Sequence, residues 1–103
     1  MRCAFQPRGD HLNGGGAVHG GLLMTFADSV LGIAAWGACE PGAWCVTVSQ
    51  SSNFLRAVRP GDLIEVTPVV TRATRSMIFT RGDFSVGTEI VFQAQSLWKV
   101  TGK

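Results

Sequence analysis

The residues with the most chemical promise fall in one run, Asn13-Gly14-Gly15-Gly16-Ala17-Val18-His19-Gly20-Gly21-Leu22-Leu23-Met24-Thr25-Phe26-Ala27-Asp28. A Gly20-Gly21 step directly precedes an apolar stretch of helical character. The N–H groups of a helix's first turn have no acceptor inside their own helix, so they point at whatever adjoins them. Such donors suit the oxygen of a carbonyl under attack, where preorganised hydrogen bonds lower the barrier by about 3 to 4 kcal/mol. Asp28 supplies the complementary group. A carboxylate on an otherwise apolar helix is costly to desolvate, which raises its pKa and fits it to act as base or nucleophile. A buried acid is therefore expected, against the plainer possibility that Thr25, Asp28 and Ser29 form a solvated face.

Spacing adds a constraint. Gly20 and Asp28 are eight residues apart, about 12 Å along one helix axis. Both would have to come within about 3 Å of the same reacting atoms. One helix cannot present its own first turn and its own Asp28 to one carbonyl, so a site using both needs a second copy of the chain.

The elements that hold these residues can be read from periodicity. From Leu22 to about Ala38 almost every position is apolar, and the exceptions Thr25, Asp28, Ser29 and Gly32 fall along one stripe, predicting a helix wrapped on most sides. Glu40-Pro41-Gly42 ends it. Trp44, Val46 and Val48 then alternate with Cys45, Thr47 and Ser49, predicting a long strand to about Leu55. Arg59-Pro60-Gly61-Asp62 makes a turn, and Leu63 to Thr71 reads as the next strand, with Pro68 placing it at an edge or bulge. Met77–Phe84 and Ile90–Thr101 follow, the last with Ile90, Phe92, Ala94, Trp98 and Val100 on one face. One helix within an antiparallel sheet is the simplest architecture, an α+β fold.

Composition narrows the classes. A chain of 103 residues with 46% hydrophobic content has room for one domain over residues 1–103 and one core. The net charge of +2 is spread along the chain, which argues against nucleic acid as a partner. Seven of the nine basic residues are arginines, whose planar fork suits phosphate. Cys3, Cys39 and Cys45 form neither a CxxC pair nor a metal-ligand cluster, so neither a disulfide framework nor a metal site is expected, and a cytoplasmic location follows. Residues 22–39 read as a buried helix rather than a membrane span, and the start of the chain lacks the apolar core of a signal peptide. Trp36, Trp44 and Trp98 read as core or interface residues.

Competing motifs fail on context. His19-Gly20-Gly21 also suits a lipase oxyanion loop, but no Gly-x-Ser-x-Gly elbow is present. Gly14-Gly15-Gly16-Ala17-Val18-His19 misses the dinucleotide fingerprint at its last glycine. Arg8-Gly9-Asp10 and Arg81-Gly82-Asp83 match an adhesion tripeptide by chance.

The run from Asn13 through Asp28 resembles the signature of hotdog-fold acyl-CoA thioesterases of the phenylacetate-degradation (PaaI-like) type. The similarity extends with lower specificity from Val46 to Val100. The resemblance implies an antiparallel sheet of five or six strands wrapped around one long helix, and a hydrolase that releases a carboxylic acid and free coenzyme A. It casts Asp28 as nucleophile or general base and the Gly20 N–H as oxyanion donor. Asn13 and His19 would orient the thioester or water, with Thr47 assisting. For the coenzyme it points to Gly21, to Phe54, Leu55, Arg56 and Arg59, and to Arg72, Thr74, Arg75, Ser76 and Met77. The acyl group would lie near Leu23, Phe26 and Val30. No cofactor is implied beyond the coenzyme A of the substrate. The partner is a second copy, as a homodimer, with dimers pairing into homotetramers in many relatives. Most relatives carry an extra helix ahead of the asparagine where only twelve residues stand here, so that helix is expected to be either dispensable or truncated from this sequence. A non-catalytic acyl-CoA sensor on the same fold is the main alternative, with a hotdog dehydratase behind it.

Overall fold

The computed structural model describes residues 2–7 and 20–102. Its elements are β1 (Cys3–Phe5), α1 (Gly20–Gly37), β2 (Trp44–Phe54), β3 (Ile64–Val66), β4 (Val69–Ala73), β5 (Met77–Val86) and β6 (Glu89–Thr101). The six strands form one antiparallel sheet in the order β1-β3-β5-β6-β2, with β4 also paired to β5. β1 goes beyond the sequence reading, its three residues being too few to show a period of two. The strand expected over Leu63–Thr71 is interrupted. β3 pairs with one end of β5 and β4 with another stretch of it; the break falls at Thr67-Pro68, where proline removes a ladder donor.

α1 packs on β2, β5 and β6. Its buried residues Leu23, Ala27, Val30, Leu31, Gly32 and Ala35 make one stripe. The opposite stripe is open: Ile33 is 54% and Trp36 52% exposed. A helix covered on most sides is thus corrected to one covered by the sheet alone, because a single chain offers nothing for the other face. Trp98 is buried and its Nε1 donates to Thr80 Oγ1 at 2.9 Å, whereas Trp36 and Trp44 are exposed. Gly32 departs from its expected polar stripe, because a Cβ there would meet Trp98 Cη2 at 3.0 Å.

Under the N-terminal half of α1 a chain of aromatic rings crosses the sheet. Phe5, Phe26, Phe84, Phe92 and Phe54 follow one another with centroids 5.1, 5.6, 5.2 and 4.8 Å apart, within the range of favourable ring contacts. Helix and sheet approach closely at Gly82, where a Cβ would lie 2.8 Å from Val66 Cγ2 and 3.5 Å from Leu31 Cδ2. Val66 is buried and β-branched, so it has little room to yield. Gly82→Ala is expected to cost about 1 to 3 kcal/mol, read as a lowered urea midpoint at unchanged m-value.

On β6, Phe92, Ala94 and Trp98 are buried as their shared face requires, but Ile90 is exposed. The register between β5 and β6 shifts at Phe84/Ser85, and a shift of one residue turns the side chains beyond it to the other face.

Candidate active site

α1 and β2 build the site together. β2 carries a register shift between Thr47 and Ser49, and a bulge of this kind re-aims the side chains around it. As a result Cys45, Thr47, Gln50 and Phe54 turn toward the helix, while Trp44, Val46 and Val48 are exposed. Thr47 Oγ1 donates to Asp28 Oδ1 at 2.9 Å. Oδ2 of Asp28 has no hydrogen-bond partner among the described residues, leaving a lone pair for a substrate or a water.

Asp28 itself is exposed, which corrects the expectation of an acid sunk in apolar surroundings. Thr25, Asp28 and Ser29 lie on the helix stripe that the sheet does not cover. One chain therefore orients the carboxylate but does not desolvate it.

Two contacts absent from the sequence reading steady this pair. Gln50 Nε2 donates to Met24 O at 3.3 Å, and Ser96 Oγ donates to Gln50 Oε1 at 3.5 Å. They fix the register of α1 against β2 one helical turn before Asp28. The polar run Ser49-Gln50-Ser51-Ser52-Asn53 is the only sequence trace of them, and alternation alone assigns its faces wrongly across the bulge.

Gly20 opens α1, and a Cβ on it would lie 3.1 Å from Phe54 Cζ. Phe54 thus stands as an apolar wall beside the first-turn donors, and the space a Cβ on the adjoining Gly21 would take is open. Asn13 and His19 lie outside the described residues.

The two stretches assigned to the coenzyme occupy opposite ends of α1. Phe54 is at its start, whereas Thr74 and Arg75 line a cavity of about 500 Å³ with Ala38, Cys39, Glu40 and Val100 at its end. The helix of 18 residues separates them by roughly 27 Å. A single chain does not bring them together.

Their arginines also differ. Arg56 is already engaged, with Nε 2.9 Å from Glu89 Oε1 and Nη1 3.4 Å from Asp62 Oδ2. The Glu89 hydrogen bond pushes its pKa up. Arg56 thus anchors the loop after β2 through these two carboxylates. Arg59, Arg72 and Arg75 have no ion-pair partner among the described residues and remain available. Leu55 is exposed and its N–H donates to Val91 O at 2.9 Å. Thr74 accepts from the Met77 N–H at 3.0 Å and donates to Met77 O at 3.1 Å, and Ser76 O accepts from the Val100 N–H at 2.8 Å. These three shape the turn between β4 and β5. No metal-binding cluster of His, Cys, Asp and Glu occurs among the described residues.

Residues 15–92 match the family described as the thioesterase superfamily. The chain belongs to that superfamily. Its fold is the hotdog fold, one helix against an antiparallel sheet of six strands. Among curated superfamily relatives, a candidate esterase of Pseudomonas aeruginosa is 36% identical over 88 residues, covering 85% of this chain and 66% of that protein. Acyl-coenzyme A thioesterase 13 of Homo sapiens is 28% identical over 83 residues, 81% of this chain and 59% of that protein. The chain thus spans about three fifths to two thirds of the length of these relatives. Among solved structures, a candidate thioesterase of Ralstonia eutropha related to phenylacetic acid degradation aligns with a TM-score of 0.88 at 26% identity. That alignment covers 95% of this chain and 74% of the other.

Proposed function

We propose that this chain is an acyl-CoA thioesterase that hydrolyses a thioester to a carboxylic acid and free coenzyme A at a site completed between two copies. The observation that carries the reading is the Asp28–Thr47 pair, oriented at 2.9 Å yet lying on the uncovered face of α1. It sits beside β2, the last strand of the sheet. The outer edge of such a strand carries N–H and C=O groups with no strand partner.

A second copy adding its own β2 antiparallel to this edge would continue the sheet and turn the second helix end for end. The first turn of one α1 would then approach Asp28 of the other, and Phe54 of one chain would approach Thr74 and Arg75 of its partner. The same pairing accounts for the exposed Ile33 and Trp36 on α1. Whether two such dimers associate further depends on faces this pairing leaves open. The three free thiols suit a reducing cytoplasm.

In this reading the thioester carbonyl oxygen sits at the Gly20 N–H, with His19 and Asn13 orienting the ester or the water. Asp28 either takes a proton from water as that oxygen bonds to the carbonyl carbon, or attacks the carbon itself to form an anhydride that water opens. The C–S bond breaks, and the coenzyme thiolate leaves and is protonated. Acyl-CoA is the substrate class because Arg59, Arg72 and Arg75 are free for phosphates and the human relative is named for acyl-coenzyme A.

Thiol release from a panel of medium-chain, benzoyl- and phenylacetyl-CoA esters tests the reading directly. Turnover of at least one ester is expected. Tight binding of acyl-CoA without any turnover would instead identify a sensor. Thr47→Val should lower kcat about tenfold at nearly constant KM, the loss of one hydrogen bond to a charged group. Thr47→Ser should restore it.

A further inference from the structure

Met24 stands four residues after Gly20 and four before Asp28, midway between the two groups that one site would take from different chains. β2 repeats this order alongside the helix. Phe54 lies beside Gly20, Thr47 donates to Asp28, and Gln50, between them in sequence, donates to the Met24 carbonyl at 3.3 Å. A pairing in which Gly20 of each chain approaches the partner's Asp28 is isologous, so its two-fold axis passes midway along both stretches. Helix and strand agree on one level for that axis, the level of Met24 and Gln50.

Gly21, Met24 and Asp28 recur at i, i+3 and i+7 and therefore share one side of α1. The Thr47 hydrogen bond to Asp28 marks it as the side along β2, the last strand of the sheet. Met24 is 42% exposed there, although Gln50 pins its backbone; its root is fixed and its tip is free. Between Met24 and the first-turn donors the helix surface is clear, because a Cβ on Gly21 would meet nothing within 4 Å. The three residues expected beside the acyl group offer no such surface. Leu23 and Val30 are buried, and Phe26 packs between Phe5 and Phe84 with ring centroids at 5.1 and 5.6 Å.

We propose that the Met24 side chains of two copies meet at the dimer axis and form a common end wall for both acyl pockets, so that Met24 sets the length of the acyl group that is accepted. This rests on the two-copy thioesterase reading. With the thioester carbonyl at the Gly20 N–H, the acyl chain runs over Gly21 toward the axis. It travels about 6 Å along α1 before it meets Met24.

The wall also fixes the chemical class of the acyl group. Methionine is unbranched and polarizable, and it adapts to the apolar surface that touches it. The polar groups nearby are already engaged: the Gln50 amide is held by Met24 O and Ser96 Oγ, and Thr25 Oγ1 donates back to Gly21 O at 2.9 Å. α1 carries neither Lys nor Arg. An apolar acyl group without a terminal charge fits these surroundings, and a second carboxylate at its end would be desolvated there without a partner.

The test has two readouts on the whole chain. Met24→Cys, oxidised with copper phenanthroline, should run as a covalent dimer on a non-reducing gel, whereas wild type with its three free thiols should not. Ser29→Cys is the control, because antiparallel helices related by an axis at Met24 would set its two copies roughly 15 Å apart along α1. For length selection, kcat/KM for decanoyl-CoA relative to hexanoyl-CoA should rise about tenfold or more in Met24→Ala and fall about tenfold in Met24→Trp. Met24→Leu, close to methionine in volume, should keep the wild-type ratio. No cross-link through Met24→Cys in a chain that light scattering shows to be dimeric would overturn the proposal. So would an unchanged ratio in Met24→Ala and Met24→Trp enzymes that still turn over, and either result leaves the thioesterase reading standing. Absence of turnover of every ester by wild type would bring down both.

Discussion

Asp28→Asn should abolish thioester hydrolysis, lowering kcat by about a thousandfold while KM for the preferred acyl-CoA moves less than about threefold. The amide keeps the shape of the carboxylate, and its oxygen can still accept the Thr47 hydrogen bond seen at 2.9 Å. What it loses is the capacity to take a proton or to attack a carbonyl carbon. Because Asp28 is exposed on α1, its replacement removes no core contact, and unfolding stability should stay within about 0.5 kcal/mol of wild type. The measurement is thiol release alongside calorimetric binding of a non-hydrolysable thioether analogue. Undiminished turnover in a folded Asp28→Asn chain would mean that the carboxylate is part of a solvated face after all. The chemistry would then have to be sought elsewhere.

Asp28 also shows what the sequence makes legible. The residue type and its helix are readable in the apolar run from Leu22, and alternation from Trp44 marks the strand that carries Thr47, but a role for Thr47 beside Asp28 comes only from the family resemblance. The exposure of Asp28 is not readable, because it depends on what covers the outer stripe of α1, and in the proposed dimer that cover comes from another chain, which leaves no period in this sequence. The inward turn of Gln50 was hidden by the bulge at Val48, since one extra residue inverts the faces that alternation assigns. Arg56 is a case of competition. Its position at a strand end suits phosphate, but Asp62, across the turn six residues on, and Glu89, 33 residues on, both reach it in the fold.

Mixing two dead variants should restore activity. Gly20→Pro removes the proposed oxyanion N–H, and helix starts tolerate proline. The added ring carbons press on Phe54, whose ring is half-exposed and free to swing aside. Gly20→Pro homodimers and Asp28→Asn homodimers should each be inactive. If each site takes its donor from one chain and its acid from the other, a heterodimer holds one site with both faults and one with neither. Co-expression at equal levels gives about half heterodimers, so about a quarter of the wild-type sites should be intact. Thiol release should recover to about that fraction, with the KM of wild type. A site contained within one chain predicts no recovery, because every chain in the mixture carries a fault. The roughly 12 Å rise between Gly20 and Asp28 on their shared helix makes the first outcome the expected one. Light scattering on the same samples separates a true failure to complement from a failure to associate.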